Sequence, residues 1–272
     1  MFKLNREAIQ KPGVYLTPTA IEALGTLETA IDKTFESPVQ RGRVIALRHT
    51  DTDGKSSAFS AALYMGKYGD VDNRKRLWGM FDAGHSFEPV RGESISFLFI
   101  GVGKPTYDHL TTYTIRQRRV CGGMRANPPW GFTVPHEAKN TELFVSALSS
   151  MIGSYERMVQ SGEQPQAARA ILPANIILPP FQFDFSEEAL AKSVFRQRIW
   201  QAGAQGETKE VVEDMLACCK AIDHEKWAKL ADAVGKPMMH HRAMKALRKA
   251  DHPRYLDIVA DYGAPDKSMW DK

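Results

Sequence analysis

Four arginines, a cysteine and paired glycines fall within one short stretch, YTIRQRRVCGGMRANPPWGF, at positions 113–132. Arg116, Arg118, Arg119 and Arg125 carry planar forks that bind phosphate oxygens in pairs. Gly122 and Gly123 let backbone N–H groups approach an anion closely, and the surrounding cations favour the thiolate of Cys121. Such a set reads either as a site for a phosphate-bearing ligand or as an arginine-rich surface turn.

Three further places carry chemistry-bearing residues. Arg169, in AARAILP, stands in a mostly apolar turn and needs a partner, because an unpaired buried charge is costly. That partner is either a ligand group or an ordinary carboxylate. Asp51 and Asp53, in TDTDGKSS, fit a capped turn better than a calcium loop, whose oxygen ligands would have to continue at fixed spacing. Cys218 and Cys219 are adjacent and form neither a disulfide framework nor a CxxC metal pair, so the thiols are expected to be reduced.

The elements that must position these residues are legible in part. GRVIALRHT alternates as a strand, and SISFLFIGV, aromatic and β-branched, predicts a strand over 94–102. Helical periodicity marks SAFSAALYMGKYG, NRKRLWGMFDA, and a long amphipathic helix from about Asn140 to Gln160 with Leu143, Ala147, Met151, Tyr155 and Met158 on its apolar stripe. IILPPFQFDF is extended, and its two prolines argue against a central strand. Ser186 is an N-cap with Glu187 and Glu188 in the first turn of the helix it opens, and another helix covers 208–222. Residues 1–40 read as a loosely organised arm, 41–225 as the main domain, and 226–272 as a polar, helical C-terminal extension.

At 272 residues, 43% hydrophobic and 25% charged, the chain has the composition of a globular protein with one substantial core. No apolar run reaches the roughly 18 residues of a membrane span, and the amino terminus lacks the apolar core of a secretory signal. A cytoplasmic location is the expectation. The net charge of +4 suits an anionic ligand and is too small and dispersed to indicate nucleic acid without a basic stripe, so nucleic acid is not the expected partner.

Order and spacing add a resemblance. Arg116-Gln117-Arg118-Arg119-Val120-Cys121 is similar to the RHRxxS signature of flavin-dependent thymidylate synthases, with Gln for His and Cys for Ser. GHSFEPVRGESISFLFIGV resembles that family's GHxxPxEH segment and following strand, SGEQPQAARAILP resembles its G-x-P-x-x-x-A-R-x-x-L-P segment, and SEEALAKSVFRQRIWQAGAQ resembles its next helix. The likeness covers roughly residues 75–222 in unbroken order. It implies an α/β (α+β) fold with a central antiparallel or mixed sheet and long helices.

The resemblance also implies roles. Arg116, Gln117, Arg118 and, in the histidine-bearing segment, His85 would hold FAD. Arg169, Arg198 and Gln205 would contact a pyrimidine nucleotide, with Arg196 as the competitor of Arg198. The family motif continues as RHRxxSxNExSxRY, where this chain has Gly123, Met124, Ala126, Pro128 and Pro129; Arg125 and Asn127 are the candidates to replace its nucleotide contacts. The implied reaction is C5 methylation, or hydroxymethylation, of a nucleotide such as dUMP or UMP. Its carbon would come from 5,10-methylenetetrahydrofolate and its hydride from FAD reduced by NADPH, within a homotetramer. Ser186-Glu187-Glu188 or its neighbours stand where the family has residues facing the flavin, an Asn-Ala-Arg triplet among them, and two acids there would repel an anionic cofactor.

Two other readings compete. Cys121 could activate C5 by thiolate addition to C6, against a plain packed thiol. A non-catalytic protein on the same fold could instead bind nucleic acid through His240, His241, Arg242, Lys245, Arg248 and Lys249, against a solvated helix face.

Overall fold

The apolar strand patterns assemble into two antiparallel sheets in the computed structural model, which describes residues 1–51, 53–71, 73–83, 87–113, 117–121, 127–201 and 206–262. For Gln117–Cys121, Met238, His241 and Tyr262 it describes the backbone only. The strands are β1 (Val14–Leu16), β2 (Val39–Arg41), β3 (Val44–His49), β4 (Ser94–Phe99), β5 (Gln117–Cys121), β6 (Gly131–Thr133), β7 (Ile176–Ile177) and β8 (Phe181–Ser186). The larger sheet runs β2-β3-β4-β8-β5 and the smaller β1-β6-β7. With helices interleaved through the chain, the fold is mixed α/β.

β8 shows why the sheet is built this way. In FQFDFS, Phe181, Phe183 and Phe185 alternate onto one face and are 0–1% exposed, as a period of two requires. They meet Phe97 and Phe99 of β4, with Phe99 and Phe181 stacked at 4.9 Å and Tyr107 lying 5.5 Å from Phe183. β8 is thus a central strand, paired with β4 on one side and β5 on the other. The expectation that its prolines exclude this is corrected: Pro179 and Pro180 precede Phe181, so no ladder N–H is lost.

The other sheet face carries Ile45, Leu47, Leu98 and Ile100, and these pack against Leu4, Ile9, Leu24 and Ile31. The expected loose arm is therefore ordered: Thr17 caps the helix Pro18–Thr34, and β1 pairs with β6. Gly131 sits at φ 143° where a Cβ would come within 1.9 Å of the Tyr15 carbonyl oxygen, so the β1–β6 approach excludes a side chain there.

The helix Thr141–Gln160 forms as the spacing predicts, capped by Asn140 on the Leu143 N–H. Its buried face is Leu148, Ile152 and Tyr155, whereas Leu143 is 64% and Met151 43% exposed. The helix carries two apolar stripes, and the core takes only one.

Beyond Ile222 the chain continues as the helices His224–Leu230, Lys236–Ala250 and His252–Tyr262. Its first part is core: Trp227, Leu230 and Val234 are fully buried in the principal cluster. Cys218 and Cys219 are buried there as free thiols, and burial pushes Cys218 up to about 12 and Cys219 upward as well, so both pack as small apolar groups. No helix among the described residues is long and apolar enough to cross a membrane.

Candidate functional site

The turn Pro165–Ala168 tightens into a 3-10 turn over Arg169–Ile171 and stops where Leu172 becomes extended ahead of Pro173. That stop turns Arg169 into the wall of a cavity of about 660 Å³, which it shares with Lys104, Gln166, Leu172, Ile176 and Leu178. Lys104 is paired with Asp108 at the start of the helix Lys104–Thr111. The Arg169 side chain has no carboxylate or other hydrogen-bond partner among the described residues. The ordinary salt bridge considered for it is absent, and a half-buried guanidinium is left for whatever fills the cavity. Lys104 and Gln166 did not stand out in the sequence.

β5 places the arginine segment at the edge of the larger sheet, with Gln117 opposite Phe185, Arg118 opposite Asp184 and Cys121 opposite Phe181. Among the described strands β5 pairs with β8 alone, so it is an edge strand of that sheet. His85, Arg116, Arg125 and Gln205 lie outside the described residues, and Asn127 is exposed.

Arg198 belongs to a helix wound with wider i+5 turns over Leu190–Trp200. It is 8% exposed, and its Nε donates to Tyr113 Oη at 2.7 Å, while Tyr113 donates to Gln197 Oε1 at 2.9 Å. Burial raises the Tyr113 phenol against the opposing pull of Arg198, so the ring stays neutral. Arg198 is not part of the cavity wall that carries Arg169, so within one chain the two expected nucleotide contacts line different places. Arg196, the competitor, is only half-buried.

The two acids after Ser186 are each held by cations of the protein. Ser186 caps the turn by accepting from the Ala189 N–H. Glu188 is bound by Arg91 at 2.8 Å and Lys192 at 3.4 Å, and these cations hold it below the usual carboxylate range despite its burial. Glu187 is 1% exposed and accepts from Lys226 Nζ at 2.8 Å, and Lys226 also donates to Asp51 Oδ2 at 2.8 Å. Burial pushes Glu187 up to about 7, and Lys226 and the Ser57 hydroxyl pull Asp51 down against burial. Lys226 itself is raised by the two carboxylates against the effect of burial, so it is the cation and Asp51 the anion of the pair. Asp53 accepts from the Lys55 N–H beside Gly54 at φ 75°, which makes TDTDGKSS a capped turn.

A signal for this cluster was present: Lys226 lies four residues before Leu230, on the face that the helix His224–Leu230 turns to its core. A lysine at that position demands buried carboxylates.

A second cavity, about 210 Å³, opens between the amino-terminal segment and the helix Gly206–Ile222. Two of its carboxylates are occupied by the protein itself, Glu207 by Arg43, Thr106 and the Gly103 N–H, and Glu210 by Lys11 and His136, while Glu137 at its wall is exposed.

No family model matches the chain, and no curated protein matches its sequence. Among solved structures, the fold is similar to that of the UMP/dUMP methylase PolB from Streptomyces cacaoi, determined with 5-Br dUMP bound. The two share 16% sequence identity with a TM-score of 0.54, over 74% of this chain and 97% of that one.

Proposed function

We propose that this chain, which shares the fold of a UMP/dUMP methylase, transfers a one-carbon unit to C5 of a pyrimidine nucleoside monophosphate such as UMP or dUMP. The observation that carries the reading is Arg169. A guanidinium without an internal partner, on the wall of a cavity large enough for a nucleotide, is a ready contact for phosphate or a pyrimidine carbonyl. An arginine on a carbonyl oxygen draws electron density through the ring as C5 reacts, which is stabilisation of developing charge rather than acid–base work. Arg198, oriented by Tyr113, and Gln205, Arg125 and Asn127 would complete the grip.

FAD is the expected cofactor, with NADPH and 5,10-methylenetetrahydrofolate as co-substrates. When bound, the flavin would supply the hydride and the folate the carbon. Gln117 and Arg118 at the sheet edge, with Arg116 and His85, would hold FAD. Support for that fit is electrostatic: the anionic residues that would have repelled the flavin, Glu187 and Glu188, are neutralised by Lys226, Arg91 and Lys192. The exposed stripe Leu143, Ala147 and Met151 supports a homo-oligomer, a tetramer in this reading, and assembly would bring Arg169 and Arg198 of different subunits toward one site.

The test is direct. The purified protein should show flavin absorbance, or gain thermal stability with FAD, and should bind UMP or dUMP. A colourless protein that neither FAD nor any pyrimidine nucleotide stabilises would sink the proposal. Incubation with 5-fluoro-dUMP separates the flavin reading from thiolate chemistry: no covalent adduct is expected, whereas an adduct lost in Cys121→Ser would make Cys121 the nucleophile.

A further inference from the structure

We propose that the helix Lys236–Ala250 is a docking surface for the phosphate backbone of a nucleic acid, separate from the nucleotide cavity. The helix, KPMMHHRAMKALRKA, holds five lysines and arginines and no acidic residue. It anchors through Met244, which is 5% exposed, while Arg242, Lys245, Arg248 and Lys249 are all exposed. At 3.6 residues per turn these four cations fall within an arc of about 120° that does not include Met244, and they run along about 10 Å of the helix axis.

Lysines on other helices, Lys33, Lys75, Lys220 and Lys229, also lack a carboxylate partner among the described residues, so what sets these four apart is that they share one face of one helix. Lys104, Lys192, Lys209 and Lys236 each reach a carboxylate one turn away. No carboxylate pairs with Arg242, Lys245, Arg248 or Lys249 among the described residues. Arg248 lies over the Tyr255 ring at 5.9 Å, which fixes its guanidinium beside the stripe. The helix dipole accounts for cations in the last turn, Arg248 and Lys249, but offers nothing to Arg242 and Lys245 in the middle. A row of fixed like charges costs repulsion in the free protein and is relieved by a polyanion. A DNA duplex, with one charge per about 1.7 Å of its axis, presents several phosphates over the same length. Loose surface charge needs no such alignment, and a single small anion would engage only one or two of these cations.

Fluorescence anisotropy with a labelled mixed-sequence oligonucleotide, single-stranded and duplex, tests this on the full chain. Binding should weaken about 20- to 40-fold between about 50 and 200 mM salt if three phosphates are contacted. Arg242→Glu/Lys245→Glu/Lys249→Glu should abolish binding, and the exposed sites keep the fold intact, checked by an unchanged melting temperature. Lys33→Glu/Lys67→Glu/Lys139→Glu makes the same change in net charge at exposed positions elsewhere and should retain most of the affinity. Equal losses in both triple variants would overturn the proposal, as would no binding at low salt. Binding to vesicles rich in phosphatidylserine without binding to either oligonucleotide would also overturn it, in favour of a membrane surface.

Discussion

Lys226 Nζ lies 2.8 Å from Glu187 Oε1, and neither side chain is more than 1% exposed. The contact ties the helix His224–Leu230 to the helix start that follows β8, and with Asp51 it joins three segments far apart in sequence. Glu187 Oε2 has no hydrogen-bond partner, which fits a carboxyl that burial holds partly protonated.

Lys226→Met should destabilise the fold by about 3–5 kcal/mol, because it leaves Asp51 and Glu187 buried without their cation. Denaturant unfolding gives the measurement. The double variant Lys226→Met/Glu187→Gln should recover part of the loss, and no recovery would mean the two side chains do not act as a pair.

The same cluster sets a pH dependence. Glu187 is raised from 4.5 to about 7, so its favourable contribution is complete below pH 4.5 and is lost as pH rises through about 7. Glu187→Gln removes that slope. Between pH 5 and 8 the melting temperature of the wild type should fall relative to that of Glu187→Gln. His49, held below 6.5 by burial and Lys226, and Asp51, also depressed, have the opposite slope, but both proteins share them and the difference cancels them.

Arg169→Ala should weaken UMP or dUMP binding about 10- to 100-fold, the worth of hydrogen bonds from a charged group. Since the side chain has no partner among the described residues, unfolding free energy should shift by no more than about 0.5 kcal/mol. Calorimetric titration alongside a melting curve reads both. Loss of stability with affinity intact would assign Arg169 a structural role instead.

Tyr113→Phe removes the acceptor of Arg198 Nε inside a largely buried site and should cost about 1–3 kcal/mol. If Tyr113 also orients Arg198 for the nucleotide, the variant's affinity falls with its stability, whereas nucleotide affinity equal to wild type would limit the pair to the fold.

Leu143→Asp/Met151→Asp should convert an oligomer to monomers in light scattering without lowering the monomer's helix content, because both positions face away from the core. A wild type that is already monomeric at tens of micromolar would remove the basis for a shared site.

Local rules determined a good part of this molecule before any contact was known. The alternation of FQFDFS, the period of 140–160, the Ser186 cap and the capped turn at Asp53 follow from sterics and hydrogen bonds within a few residues, and the sequence states them. The order of the motifs from 75 to 222 led to the same α/β fold that the methylase comparison supports. What the chain could not state locally depends on partners distant in sequence. Which stripe of the helix Thr141–Gln160 enters the core, whether prolines beside β8 exclude a central strand, and which cations hold Glu187 and Glu188 were all decided by packing. Lys226, the partner of Glu187, lies 175 residues beyond Asp51. Arg169 is the converse case: its charge was plain in the sequence, but only the fold left it without an internal partner on the wall of a cavity.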